Sequence, residues 1–244
     1  MRVGLIADIH GNLPALEAVL AELERERPDE IICLGDVAVG PEPRAAVARL
    51  REVGCSVVLG NWDASFIDET EAPESPGDDV GGMVREIHAY WSTKLSGDDR
   101  EYLRTFVPQL ECRIGNVDAL FFHGSPRSYD DQIFATTPDA ELEEMFDGAR
   151  PALLVGGHTH VQLVRRWGRS LLVNPGSVGL PFLSWWPETV RVAPWAEYAL
   201  LTADDGDLHV DLRRTTFDVE SYLRSARASG MPHADWWADC WVLD

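Results

Sequence analysis

The sequence of 244 residues predicts an α/β fold. In its first third, short apolar runs of strand length alternate with segments whose apolar residues recur at helical spacing. That is the pattern of a parallel sheet with helices packed against it. From Gln109 onward, strand-length runs lie closer together and are separated by Gly-centred turn signals, which predicts more antiparallel pairing. No internal repeat, low-complexity tract or linker interrupts the chain, so one domain over residues 1–244 is expected.

The elements follow in order. Residues 1–7 (MRVGLIA) form an apolar run suited to a buried strand. Asn12 can cap a helix with Pro14 in its first turn, and Leu13, Leu16, Val19, Leu20 and Leu23 continue it at helical spacing. Residues 31–34 make a second strand, 44–53 a helix, and 56–59 a third strand. The carboxylate-rich stretch 68–79, with Pro73, Pro76 and Gly77, reads as an exposed loop, and helical patterns follow to about residue 105. Strands are expected at 109–114 and 117–122 around a Gly115-Asn116 turn, and a helix at 138–146. Further strands fit 152–155, 161–167, 170–173, 198–202 and 208–213, with turns at Gly168-Arg169 and Gly206-Asp207. A helix at 219–228 and a Trp-rich tail close the chain.

Composition narrows the functions available. Hydrophobic residues at 45% and charged residues at 25% are ordinary for a globular chain with a real core. A net charge of −20 argues against a broad nucleic-acid surface, which needs clustered cations to neutralise phosphates. It leaves a phosphate substrate open, because bound cations can invert a local field. Cys33, Cys55, Cys112 and Cys240 are scattered, which fits a reducing, cytoplasmic setting. Asp8 and His10 interrupt the first apolar run before a signal core could form. No stretch reaches the roughly 20 apolar residues of a membrane span, so no membrane partner is expected.

The chemistry-bearing residues stand at the ends of the apolar runs, where ligands bind in open α/β sheets. Asp8 and His10 follow the first strand, Gly35-Asp36 the second, and Gly60-Asn61 the third. His123-Gly124 and Gly157-His158-Thr159-His160 follow two later ones. The chain has seven histidines, and four of them fall at these ends. Imidazole nitrogens mixed with carboxylate and amide oxygens suit Mn, Fe or Zn. Seven such ligands exceed what one ion normally takes from protein, and two ions sharing a carboxylate would use them all.

Five motifs in this order, Asp8-x-His10, Gly35-Asp36, Gly60-Asn61-x-Asp63, His123 and Gly157-His158-x-His160, resemble the calcineurin-like metallophosphoesterase superfamily. Asp8-Ile9-His10-Gly11-Asn12 and Asn174-Pro175-Gly176-Ser177 are similar to its small bacterial and archaeal phosphodiesterase branch. The resemblance implies a four-layer α-β-β-α sandwich with two mixed β-sheets. It implies one ion on Asp8, His10, Asp36 and His160, and another on Asp36, Asn61, His123 and His158, with Asp36 bridging. Asp36 and Asn61 thereby become catalytic residues. The ions would be Mn first, with Fe, Zn or Ni as alternatives. Two such ions, about 3.5–4 Å apart, clamp an in-line displacement and supply a bridging hydroxide as nucleophile. The expected substrate is a small phosphodiester or phosphomonoester, nucleotides included. The alternatives are a protein phosphatase, or a non-catalytic metal-binding scaffold of the same fold; such scaffolds tend to lose ligands, and here all seven are present.

Many members of the superfamily carry His after the Asn as proton donor to the leaving group. Here Trp62 stands in that place, and an indole N–H does not titrate usefully. Asp63 is read either as the partner that orients Asn61 for catalysis or as a loop carboxylate. Arg127 is either a clamp for substrate phosphate or half of a surface salt bridge. Asn12 caps its helix and is also placed to touch phosphate. His88 is expected to pack on its helix. Trp185, Trp186 and Trp195 are read as core or interface mass, or as a stacking platform, which leaves homo-oligomerisation open.

Overall fold

In the computed structural model, residues 1–70, 72–73, 78–185, 189–204 and 207–243 are described. The first half runs β1 (Arg2–Ile6), α1 (Leu13–Glu26), β2 (Glu30–Cys33), α2 (Pro43–Val53), β3 (Ser56–Val57), α3 (Asn61–Asp68), α4 (Asp78–Ser92) and α5 (Gly97–Leu103). It continues with β4 (Leu110–Ile114), β5 (Val117–Phe121), α6 (Asp139–Phe146), β6 (Leu153–Val155), β7 (Leu163–Trp167) and β8 (Ser170–Asn174). Last come β9 (Phe182–Ser184), β10 (Arg191–Val192), β11 (Ala196–Asp204), β12 (Asp207–Thr215), α7 (Val219–Ala228) and α8 (Ala234–Asp239).

Two five-stranded sheets carry the molecule, in the orders β12-β11-β1-β2-β3 and β4-β5-β6-β8-β7. Both are mixed. β1, β2 and β3 pair in parallel, while β11 joins β1 antiparallel. The second sheet has a parallel centre, β5-β6-β8, with antiparallel edges. As expected, the strands of the first half pair in parallel and those of the second half pair mostly antiparallel, with β5-β6-β8 as a parallel centre.

The layers follow from the two-residue period of strands. Val3 and Leu5 of β1, with Ala199 and Leu201 of β11, face Phe121, Leu153, Val155 and Val173 of the other sheet in one buried cluster. The alternate residues, Ile6, Cys33, Tyr198 and Leu200, face Leu16, Val19 and Leu23 of α1 and Val47 and Leu50 of α2. On the far side, Leu120, Phe122 and Leu154 meet Leu142, Met145 and Phe146 of α6. The result is the α-β-β-α order. β1 and β2 are covered on both faces, so they read as continuous apolar runs rather than as alternating ones.

Several expectations change in detail. β3 is only two residues long, and Asn61 opens α3 instead of ending a strand. Asp79 lies in α4, so the acidic stretch is not all loop; residues 71 and 74–77 lie outside the described residues, as does Gly206 of the last turn signal. The short pair β9-β10 and α8 carry too few periodic positions to be read from sequence.

Candidate metal centre

The carboxyl ends of β1, β2, β5 and β6 lie side by side, and their following loops are laced together. Asp8 N–H donates to Gly35 O at 2.9 Å, His10 N–H to Asp36 O at 3.0 Å, and Gly157 N–H to His123 O at 2.8 Å. The Asn174–Ser177 motif closes this rim. Ser177 Oγ donates to Asp8 O at 2.7 Å and accepts from Leu180 N–H at 2.7 Å. Gly60 has to be glycine. An added Cβ would stand 2.2 Å from Asp36 Oδ1 and 2.4 Å from Asp36 N, closer than any real contact.

The expected ligands themselves break a backbone rule. Asp8, His10, Asp36, His158 and His160 all have positive φ, between 49° and 67°. Left-handed non-glycine residues are strained, and such strain persists where the surroundings over-determine it, commonly at functional sites. It also separates two neighbours: His158 and His160 stand two residues apart, yet both are left-handed and they join different groups.

Two trios of buried or nearly buried side chains result: Asp8, His10 and His160, and Asp36, His123 and His158. Within each, the ligand atoms lie within 4.8 Å of one another, which gives two possible metal-binding sites. Asp36 stands between them, with Oδ2 3.4 Å from His123 Nε2 and 3.9 Å from His10 Nε2. Asn61 Oδ1 lies 3.1 Å from His123 Nε2, beside the second trio. Each aspartate spends one oxygen on the backbone and leaves the other to the centre. Asp8 Oδ2 accepts from His158 N–H at 3.1 Å, and Asp36 Oδ1 accepts from Trp62 N–H at the start of α3 at 3.0 Å. Asp8 Oδ1 is buried with no hydrogen-bond partner at all.

These features fit a cation. A buried orphan carboxylate oxygen costs free energy unless something positive meets it. Nδ1–H of His123 donates to Leu34 O at 2.6 Å and Nδ1–H of His160 to Leu180 O at 2.7 Å. Each ring therefore turns its Nε2 inward, the arrangement that orients metal-binding imidazoles. His160 Nε2 meets His10 Nε2 at 2.9 Å.

Charge follows the same geometry. Burial and the neighbouring His160 hold His10 well below the usual imidazole range, and burial holds His158 at about 4, so both are neutral donors at neutral pH. Burial opposes the charges of Asp8 and Asp36, yet His160 and His123 outweigh it and keep both ionised. On His123 burial again works against charge, but Asp36 and Asp8 prevail and raise it to about 10.

The remaining expected residues divide. Asp63 is fully buried and does not orient Asn61. Its carboxylate accepts from Val37 N–H and Ala38 N–H, all at 3.1 Å, so it shapes the loop that carries Asp36. Burial, and then the charge of Asp36, push it to about 7. Asn61 is held instead by Asp130, which accepts from Nδ2 at 3.0 Å and leaves Oδ1 toward the centre. Asp130 was missed because nothing in its sequence surroundings ties it to residue 61. Asn12 is completely buried, with Oδ1 accepting from Ala15 N–H and Nδ2 donating to Gly179 O, so its polar atoms serve to cap α1 and to hold the loop at Gly179. Arg127 pairs with Asp131 at 2.8 Å and is not part of the cavity that opens on the trios. His88 stacks on Phe66 and contacts Ser65 Oγ, as packing requires. Trp185 lines the cavity, whereas Trp195 donates to Glu197 beneath Arg214; Trp186 lies outside the described residues.

Comparison with known proteins agrees with this picture. The profile of the calcineurin-like phosphoesterase superfamily domain matches residues 1–206, and the chain belongs to that superfamily. A Methanocaldococcus jannaschii protein, MJ0912, is 25% identical over 247 residues, covering 94% of this chain and 93% of its own. The crystal structure of a metallophosphoesterase from Sphaerobacter thermophilus superimposes with a TM-score of 0.72 at 26% identity, covering 96% of each chain. Protein PH1004 from Pyrococcus horikoshii shares the fold with a TM-score of 0.79 at 23% identity, covering 97% of each chain.

Proposed function

We propose that this chain holds two divalent cations and hydrolyses a small phosphodiester or phosphomonoester. The first ion would take Asp8, His10, Asp36 and His160; the second would take Asp36, Asn61, His123 and His158. Manganese is the first choice of metal, with Fe, Zn or Ni as alternatives for the same donor set. The observation that carries the reading is the convergence of two buried ligand trios around the unpartnered Asp8 Oδ1, with Asp36 Oδ2 facing both. When bound, the ions supply Lewis acidity toward a phosphoryl oxygen and toward water.

The chain's own residues then do the positioning. Leu34 O and Leu180 O fix the two imidazoles, Asp130 fixes the Asn61 amide, and the start of α3 fixes Asp36. Trp62 reaches the cavity wall but offers no proton, so departure of the leaving group depends on its own acidity. The chain would work as one domain in the cytoplasm. Among the described residues, no helix is long and apolar enough to cross a membrane.

The test is hydrolysis of bis(4-nitrophenyl) phosphate by purified protein with Mn, Ni, Fe or Zn, followed by chelator. Turnover that a metal restores is expected, with two ions retained per chain by elemental analysis. Two ions without turnover under any metal would favour a scaffold, and fewer than two would remove the dinuclear reading.

A further inference from the structure

The trios open into a cavity of about 340 Å³, within the size range of small-molecule sites. It shares His10, Asp36, Asn61, His158 and His160 with the metal centre, so anything bound at the ions extends into it. Beyond the ligands its character changes. α4 contributes Val80, Val84 and Ile87, and the C-terminal segment around α8 contributes Trp236, Trp237 and Trp241. Among the described residues, the wall holds no Lys or Arg. Even the buried indole N–H groups of Trp91 and Trp241 find no acceptor there.

Apart from Gln132 and Thr159, such a wall strips water from a charged or hydroxylated group without repaying it in hydrogen bonds. Polyphosphates are normally met by Arg or Lys clamps. An alkyl or aryl group, by contrast, gains from every methylene it buries.

We propose that this cavity seats the organic part of the substrate, and that the hydrolysed ester carries an apolar alkyl or aryl group rather than a polyphosphate or a bare sugar. The proposal rests on the phosphoesterase reading of the adjoining centre. It explains why a Trp-rich segment distant in sequence from every motif packs over the motif rim.

The test uses methyl, butyl and octyl 4-nitrophenyl phosphate with the Mn-loaded enzyme, so that the leaving group never varies. Burial predicts up to about fourfold in kcat/KM per methylene, and so up to about sixtyfold from methyl to butyl. Val84→Lys should collapse the butyl-to-methyl ratio toward one. The ratio is taken within one variant, so a general loss of activity does not enter it, and Val84→Ser replaces it if the lysine variant fails to fold. Octylphosphonate supplies a readout without turnover, through quenching of tryptophan fluorescence.

A wild-type ratio at or below one, with the methyl ester still hydrolysed, overturns the apolar assignment and spares the phosphoesterase reading. A ratio that Val84→Lys leaves unchanged also overturns it. Quenching by octylphosphonate that Val84→Lys abolishes supports the cavity even if no ester turns over, an outcome that would sink the phosphoesterase reading instead. Absence of both quenching and turnover removes the two together.

Discussion

Asp130→Ala isolates a contact that sequence reading did not supply. Asp130 Oδ1 accepts from Asn61 Nδ2 at 3.0 Å, and Asn61 Oδ1 then lies 3.1 Å from His123 Nε2. A side-chain amide presents oxygen or nitrogen depending on a half-turn, and only the oxygen can ligate a cation. A hydrogen bond to a charged acceptor contributes about 1.5–3 kcal/mol, less for an exposed one such as Asp130. Taking about 1.4 kcal/mol, its loss weakens the second ion by about tenfold. That sits at the low end of the 10–100-fold range for partners of metal ligands. Only one ion should be affected, because Asp8, His10 and His160 make no contact with Asp130.

The assay is competition for Mn against a chelator of known affinity. Wild type should release two ions with similar midpoints, whereas Asp130→Ala should release one of them about tenfold earlier. Asp131→Ala removes a neighbouring carboxylate tied to Ser125 and Arg127, and so controls for charge alone. The reasoning is refuted if Asp130→Ala shifts neither midpoint by more than about twofold, or shifts both equally.

Other outcomes follow from the same geometry. Trp62→His places a titratable donor at the position of the indole and should raise turnover of alkyl phosphates relative to nitrophenyl phosphates by up to about 10²-fold; an unchanged ratio counts against the leaving-group argument. Gly60→Ala sets a Cβ 2.2 Å from Asp36 Oδ1, and overpacking of that kind costs about 1–3 kcal/mol, read as a lower Tm together with lost metal. His88 is held at about 4 by burial and, less strongly, by Arg100, below its ordinary 6.5. The folded form therefore binds fewer protons than the unfolded form, and stability falls as pH drops from about 6.5 to 4, by about 1–2 kcal/mol after solvent screening. Denaturation at pH 7 and pH 4.5 should show this loss in wild type and a smaller one in His88→Phe.

What the sequence disclosed and what it withheld have different physical causes. β1, β2 and α1 were legible because burial on both faces, or on one helical stripe, writes a periodic signal into few residues. Asp8, His10, Asp36, Asn61, His123, His158 and His160 were legible as a set because they stand where parallel strands in the two sheets end at one rim. Asp130 was not, since its partner is 69 positions away and an exposed carboxylate carries no pattern. Asp63 stayed between two readings for a related reason: its nearness in sequence to Asn61 allowed a contact, but its place in the first turn of α3 aims it at the loop after Asp36.

The strain at the ligands gives a further step. Five residues that donate to the proposed ions are left-handed, and five separate local compromises are hard to justify by packing. The sheet and helices are well covered by apolar clusters without them, so the fold has stability to offset that cost. What the strain achieves is inward-facing donor atoms at the ends of strands that would otherwise splay outward. On the function proposed above, the apolar cavity beyond them would complete a division of labour: the rim would grip the phosphate in the same way whatever ester arrives, and discrimination between esters would fall to the wall built by α4 and the C-terminal tryptophans. Substitutions in that wall should change which ester is preferred, while substitutions at the rim should change whether any is hydrolysed.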